Sequence, residues 1–346
     1  MEILSRIDCA SERVLEKLTA LNLQEIGISE YNQKYMGQYI TNYSFYYGLY
    51  KQLFLIAVKE LSLPIEKSVF VDYGGGCGIL SLLAKEIGFQ SVIYNDIYEV
   101  SLIDAKLISE AINIQIDYFV LGDVDDLVDA IKQKQLKPNL ICSFDVLEHI
   151  YNLEEWFSSL SKIGNHFSLV FMTSANSYNP FIRNRLMKLQ RKAEYEGTTE
   201  YWGMKKRDIK IPFLLARKKI INDISPNTDD ESLNLLAKQT RGLDQKDIIK
   251  VIEEYKQTGS ISYTIKHPTN TCDPYTGNWA ENLINIPSLK SLLNRLGFKT
   301  EVTGGLYSHS NNRKLNIAKN ILNHLIRRNS KLGLYLSAIY ILKAKI

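Results

Sequence analysis

From Lys67 onward, short apolar runs rich in β-branched and aromatic residues alternate with segments whose apolar residues recur at helical spacing. This alternation constrains the fold more than any other feature. A strand–helix–strand unit sets consecutive strands parallel and sends the connecting helix to a sheet face. SVFVDY, SVIYND, IDYFVLGD, NLICSFD and FSLVFMT read as strands, and ILSLLAKEI, EVSLIDAKLISEAI, VDDLVDAIKQKQ and NLEEWFSSLSKIG as the helices between them. Near the end NIPSLKSLLNRLG reads as a helix stopped by Gly297. FKTEVTGGLY and LSAIYILKAKI follow as two more strands, separated by the basic amphipathic stretch RKLNIAKNILNHLIRR. The expectation is an α/β fold with a doubly wound, seven-stranded sheet. Residues 64–176 would form its ligand-binding core and 283–346 its last helix and strands. Residues 1–63 read as an N-terminal helical cap, and 177–282 as a mainly helical insertion without a clear strand.

The chain has 346 residues, 45% of them apolar and 23% charged, ample for a globular core. A net charge of +4 gives no global attraction to nucleic acid or to an anionic membrane, so any basic patch must be local. Cys9, Cys77, Cys142 and Cys272 form no CxxC pair, which argues against a zinc site or a disulfide framework and fits a reducing compartment. The start, MEILSRIDCASERVLEKL, lacks the basic head and apolar run of a secretion signal, and no stretch is apolar enough to span a bilayer. A cytoplasmic protein is the expectation.

The first strand runs into VDYGGGCG and then a helix. Glycines there permit a tight turn and a close ligand, and the helix N-terminus offers N–H donors. The spacing discriminates between ligands. A dinucleotide site wants GxGxxG, but counted from Gly74 the third glycine would fall on Ile79. What stands instead is Asp72-x-Gly74-x-Gly76-x-Gly78, with Gly75 inside it. An acid ahead of the glycines repels a pyrophosphate and suits a ligand with a cationic amino-acid end. Asp96 ends the second strand, followed by Ile97, and Asp123 and Val124 follow the third. Acids at the C-terminal ends of successive strands lie where open α/β sheets bind ligands.

In these residues the chain resembles the class I, Rossmann-like S-adenosylmethionine-dependent methyltransferases, whose first motif is D/E-x-G-x-G-x-G. The resemblance implies S-adenosyl-L-methionine as cofactor. It implies that Asp72, Gly74, Gly75, Gly76, Gly78 and Ile97 hold the cofactor, with Asp96 at the ribose, Asp123 and Val124 at the adenine, and Asp145 at the cofactor edge. SFDVLEHI, at the end of the fourth strand, is similar to the DVLEH segment of ubiquinone-type and other small-molecule O-methyltransferases. The similarity spans roughly Val69 to Ala175 and, more loosely, the end of the chain. The resemblance does not extend over the insertion, about Asn176 to Asn282.

A hydroxyl acceptor benefits from a general base of near-neutral pKa, for which histidine is suited. His149, with Glu148, is the catalytic candidate, although the pair could instead cap a helix. Asp145-x-x-Glu148-His149 is also similar to the metal-binding ExxEH of small-RNA 3′-end methyltransferases, but no further histidine stands near TSANSYNP, so no metal is assigned. His267, in the turn-rich KHPTNTCDPYTGNW, is a second candidate. The expected reaction is methyl transfer to an oxygen or nitrogen of a small metabolite, sugar or glycolipid precursor. A metal-assisted RNA 2′-O-methyltransferase and a non-catalytic cofactor-binding protein are the alternatives. The basic runs RNRLMKLQRK and MKKRDIKIPFLLARKK could meet an anionic acceptor, though a solvated face is the simpler reading, and peripheral lipid contact by the C-terminal amphipathic stretch is open by the same logic. Tyr31, Tyr35, Tyr39, Tyr43, Tyr46, Tyr47 and Tyr50 recur at helical spacing. They read as one stripe along a helix, packing a cap or turning a hydroxyl or two toward the ligand.

Overall fold

The computed structural model describes residues 2–197, 211–308 and 313–346. The chain forms two compact units. The first comprises Met1–Leu147, Leu153–Ser174 and Asn285–Ile346; the second comprises Glu148–Asn152 and Ala175–Ile284.

The first unit is built on seven strands: β1 (Val69–Tyr73), β2 (Ser91–Asp96), β3 (Tyr118–Leu121), β4 (Leu140–Phe144), β5 (Ser168–Thr173), β6 (Lys299–Gly304) and β7 (Tyr340–Lys345). They lie side by side in the order β3-β2-β1-β4-β5-β7-β6. β1 to β5 are parallel, whereas β7 runs antiparallel between β5 and β6. The central strands are covered on both faces, so they read as continuous apolar runs rather than alternating ones; every residue of β5 is buried. Between β1 and β4 the strand order reverses, the place beyond the carboxyl ends of the strands where open α/β sheets bind ligands. Asp72 is in register with Tyr94 of β2 and Cys142 of β4, which sets it at that reversal.

The helices α4 (Ile79–Ile87), α5 (Glu99–Ala111), α6 (Val124–Gln133) and α7 (Leu153–Ser161) connect the parallel strands, and α12 (Ile286–Arg295) precedes β6. α4 ends at Gly88, whose left-handed backbone stops the helix. Between β6 and β7 lie α13 (Arg313–Arg328) and α14 (Ser330–Leu336).

At the N-terminus, α1 (Glu2–Thr19), α2 (Glu30–Thr41) and α3 (Tyr43–Glu60) belong to the same unit. Ile7, Ala10, Val14 and Leu18 recur every three or four residues along α1 and are buried in one core with Phe54, Ala57, Leu82 and Leu83. Each of the larger side chains contributes about 2 kcal/mol by leaving water. The tyrosines do not form the single stripe expected. Asn42 ends α2 and starts α3, and the rings divide between two directions. The Tyr43 hydroxyl bonds Ser11 and that of Tyr47 bonds Asp8, both on α1. The other rings turn elsewhere, as described below.

The second unit contains α8 (Pro180–Tyr195), α9 (Phe213–Ile224), α10 (Asp230–Gln239), α11 (Gln245–Thr258) and a long turn-rich segment to Ile284. Asn179 caps α8 by accepting from the N–H groups of Phe181 and Ile182, with Pro180 in the first helical position. Ile220, Ile221, Leu236, Ile248 and Ile252 form its apolar core. Beside that core the fully buried Arg217 donates to Glu194 and to the Ala237 carbonyl. Among the described residues of the unit the sole β-pairing is a bridge between Cys272 and Trp279. The MKKRDIK part of the basic run, 204–210, lies outside the described residues. No described helix is long and apolar enough to cross a membrane, and all four cysteines are free thiols.

Candidate active site

The loop after β1 is shaped by contacts that only glycine tolerates at two positions. Gly74 has φ +70°, and a Cβ there would come 2.6 Å from a Val146 methyl. At Gly75 a Cβ would meet the Tyr94 ring at 2.5 Å. Across the turn the Gly75 N–H donates to the Asn95 carbonyl at 2.9 Å and the Tyr94 hydroxyl to the Gly76 carbonyl at 2.6 Å. β2 thus holds the turn in a fixed shape before any ligand arrives. Around Gly76 itself a Cβ would meet nothing within 4 Å, so the turn leaves an open cradle at its apex.

Two buried carboxylates flank that cradle. Asp72 accepts from the Ser81 hydroxyl at 2.7 Å. Burial pushes its pKa up to about 7; the Ser81 bonds oppose the shift and the nearby Asp96 adds to it. Asp96 accepts from the Gly76 N–H at 2.9 Å through one oxygen and from the Tyr98 N–H at 2.8 Å through the other. Each of its oxygens keeps a second lone pair for a ligand hydroxyl. Ile97 beside it is 53% exposed, an apolar surface at a strand end with room for a flat ring.

After β3, Asp123 caps α6. It accepts from the Asp125 and Asp126 N–H groups while its own N–H donates to Asp126, a complete capping box. Val124 is the first residue of that helix, whose N–H is one of those a helix leaves without an internal acceptor. Asp145 follows β4 with a left-handed backbone, φ +53°. Its carboxylate accepts from the Ser174 N–H at 2.7 Å and its own N–H donates to the Met172 carbonyl, so it clips the ends of β4 and β5 together.

Four of the remaining N-terminal tyrosines lie near enough to these acids to feel their charge. Burial first raises the hydroxyl pKa values of Tyr31, Tyr39, Tyr46 and Tyr50. Among the further causes are Asp96 for Tyr31, Asp145 for Tyr39 and Tyr46, and both Asp72 and Asp145 for Tyr50. Tyr31 also packs edge-on against Tyr98, 5.9 Å between ring centres. These are neutral phenols beside carboxylates. Asp104 of α5 fixes the helix that carries the first of them, accepting from the N–H and hydroxyl of Ser29 and from the Asn32 amide. Ser81, Tyr94 and Asp104 had no motif to mark them. The one hint was position, since Ser81 is the single polar residue among the buried ones of α4 and Asp104 the single charged one among those of α5.

In the second unit Glu148 and His149 are joined by Glu281, with one ligand atom of each within 4.8 Å of the others. Glu148 is fully buried. His149 Nδ1 lies 2.9 Å from the Trp279 carbonyl, and because a carbonyl can only accept, Nδ1 carries the proton and Nε2 the lone pair. Nε2 is 4.0 Å from Glu281, a residue itself held at φ +59°. The Asn282 N–H donates to the Glu148 carbonyl at 3.0 Å, tying the two segments together. The donor set, two carboxylates and an imidazole nitrogen, suits a divalent cation as well as proton transfer. Glu281 was not expected; it stands in a turn-rich stretch where no spacing links it to Glu148. His267 is neutral in its role: burial lowers its pKa, Arg241 and Arg183 lower it further, and Nδ1 accepts from the N–H groups of Thr269 and Asn270 to shape the turn.

Residues 50–217 match a family described as a methyltransferase domain. The chain carries a methyltransferase domain. Its methyl donor is S-adenosylmethionine, and the residues present fit it: an open glycine cradle, a buried acid on either side and an apolar shelf at Ile97. Similar solved structures include an S-adenosylmethionine-dependent methyltransferase from Mesorhizobium loti, at 13% identity over 85% of this chain and 98% of that one, TM-score 0.40. A ribosomal protein L11 methylase from Lactobacillus delbrueckii subsp. bulgaricus is 19% identical over 40% of this chain and 66% of that one, TM-score 0.29. A geranyl diphosphate C-methyltransferase from Streptomyces coelicolor is 15% identical over 34% and 43%, TM-score 0.27. No curated protein matches the methyltransferase in sequence. Its fold is defined by the strand order itself.

Proposed function

We propose that the enzyme transfers the methyl group to an oxygen, or a nitrogen, of a small metabolite, sugar or glycolipid precursor, with His149 as the general base. The observation that carries the reading is the tautomer of His149: the Trp279 carbonyl holds the proton on Nδ1, so Nε2 can take one from an acceptor hydroxyl. S-adenosylmethionine supplies an electrophilic methyl group on a sulfonium. Asp96 receives the ribose hydroxyls, Asp123 and the Val124 N–H meet the adenine, and Ile97 covers its face. Asp72, ionised by a neighbouring ammonium, holds the amino-acid end. Gly74 to Gly78 let the backbone close on the ligand. Asp145 steadies the edge of the site. Glu148 and Glu281 keep a protonated His149 stable after it has accepted its proton. Transfer in line from a sulfonium is accelerated chiefly by such positioning.

Incubation of the protein with methyl-labelled cofactor and a small-molecule extract, followed by mass spectrometry, tests the reading. A labelled small molecule with the methyl on oxygen or nitrogen is the expected product. Asp96→Ala should weaken S-adenosylhomocysteine binding by about tenfold or more, as loss of a hydrogen-bonded charged group does. His149→Gln should leave that binding intact and lower turnover about 100-fold or more. Label found only in RNA would overturn the acceptor class. Loss of turnover on adding a chelator, restored by a divalent cation, would give Glu148, His149 and Glu281 a metal instead of a proton.

A further inference from the structure

We infer that the helix pair α13–α14 of the first unit docks on an anionic lipid surface. One face of α13 is tied to its own unit by described contacts. Lys319 donates to the Ser308 carbonyl at 2.8 Å, the Asn323 amide exchanges hydrogen bonds with the Tyr307 backbone, and Ile326 is buried. These positions, spaced by four and three, mark the inward face. The outward face carries Lys314, Ile317, Ile321, Leu325 and Arg328, spaced by three, four, four and three, so they lie in one line along the helix. Ile317 and Ile321 are each 59% exposed and Leu325 38%. With Asn320 and His324 they line a shallow groove that opens outward. In α14, Leu332 and Tyr335 are exposed as well.

Charge selects the occupant. After Glu301 the sequence contains no Asp or Glu, while Arg327 and Lys331 join Lys314 and Arg328 around the stripe. Branched aliphatic side chains framed by cations on an exposed helix suit the boundary between anionic headgroups and acyl chains, where the apolar side chains sink in and the cations stay with phosphate. A nucleic acid would have no use for the isoleucines and would favour aromatic rings for its bases. A second copy meeting this face with its own α13–α14 would bring the same cations against these and no acid to meet them.

Flotation of the full chain with phosphatidylglycerol–phosphatidylcholine vesicles, against vesicles of phosphatidylcholine alone, tests the inference. The chain should float with the anionic vesicles at low salt and come off as salt screens the headgroups. Ile317→Glu with Ile321→Glu should reduce the bound fraction about tenfold or more, since burying a stripe of two charges at the interface is unfavourable. Lys314→Gln with Arg328→Gln should reduce it about tenfold. Both variants should bind S-adenosylhomocysteine as the parent does, which shows that they are folded. Failure of the parent to float with anionic vesicles, or equal binding to neutral ones, overturns the inference. So does a parent dimer, seen by sedimentation, that the two glutamates dissolve, because the stripe then belongs to a second copy.

Discussion

Asp72 has a pKa near neutrality because burial outweighs the Ser81 bonds that favour its charge. Its folded value, about 7, lies above the 3.8 of an exposed aspartate. Its contribution to folding is therefore full below the lower value and lost as pH rises through the upper one. Binding runs the other way, since a cationic ligand end favours the ionised acid. S-adenosylhomocysteine affinity, titrated from about pH 5.5 to 8.5, should rise up to tenfold per unit below pH 7 and level off above it. Asp72→Asn should remove most of that slope. It should also raise the melting temperature of the free protein at pH 8, because it removes a buried charge that only the ligand rewards. An affinity flat in pH would mean that Asp72 does not face the cationic end. Asp72, Asp96 and the glycines were legible in the sequence because a fixed spacing on one turn encodes them. Glu281 was not: it reaches His149 from more than a hundred residues away, and only tertiary structure makes the pair.

At the scale of elements, the parallel strands were readable almost to the residue because burial on both faces leaves them uniformly apolar. The N-terminal tyrosines misled for the opposite reason. Their spacing continues through Asn42, and neither Pro nor Gly marks the break between α2 and α3. What fixes α2 is Asp104, three of whose hydrogen bonds come from Ser29 and Asn32. Asp104→Ala leaves those buried donors without their acceptor and should cost about 2–3 kcal/mol in urea unfolding. It should also weaken S-adenosylhomocysteine about tenfold, since Tyr31 and its neighbours ride on the same helix; affinity unchanged by a destabilising variant would separate α2 from the cofactor.

For the whole molecule, the proposed cofactor residues all fall in the first unit, and the buried Arg217–Glu194 pair in the second. Thr271 also donates to Glu194, so that carboxylate serves both a helix and the turn-rich segment. Glu194→Ala strands a fully buried guanidinium, one of whose nitrogens, Nη1, already has no hydrogen-bond partner among the described residues. The expected loss is about 3–5 kcal/mol in chemical denaturation, with S-adenosylhomocysteine affinity retained at low denaturant. Loss of that affinity would show that the first unit depends on the second. The pair was not readable from the sequence, because Arg217 sits in a run that looks like a solvated basic face, and nothing in the sequence set Glu148–Asn152 apart from the first unit.

Glu148–Asn152 leaves the first unit, enters the second and returns, whereas the bulk of the second unit comes later, from Ala175 to Ile284. The second unit is consequently not a module that one pair of cuts can release. A fragment encoding 175–284 would carry Trp279, Glu281 and Asn282 but not the backbone they grip, and a fragment ending at Ser174 would leave Glu148 and His149 with nothing to fold against. The two halves of the DVLEH segment, joined by a single peptide bond, belong to different bodies, so the chain can be cut neither before nor after the segment without separating one body from part of itself.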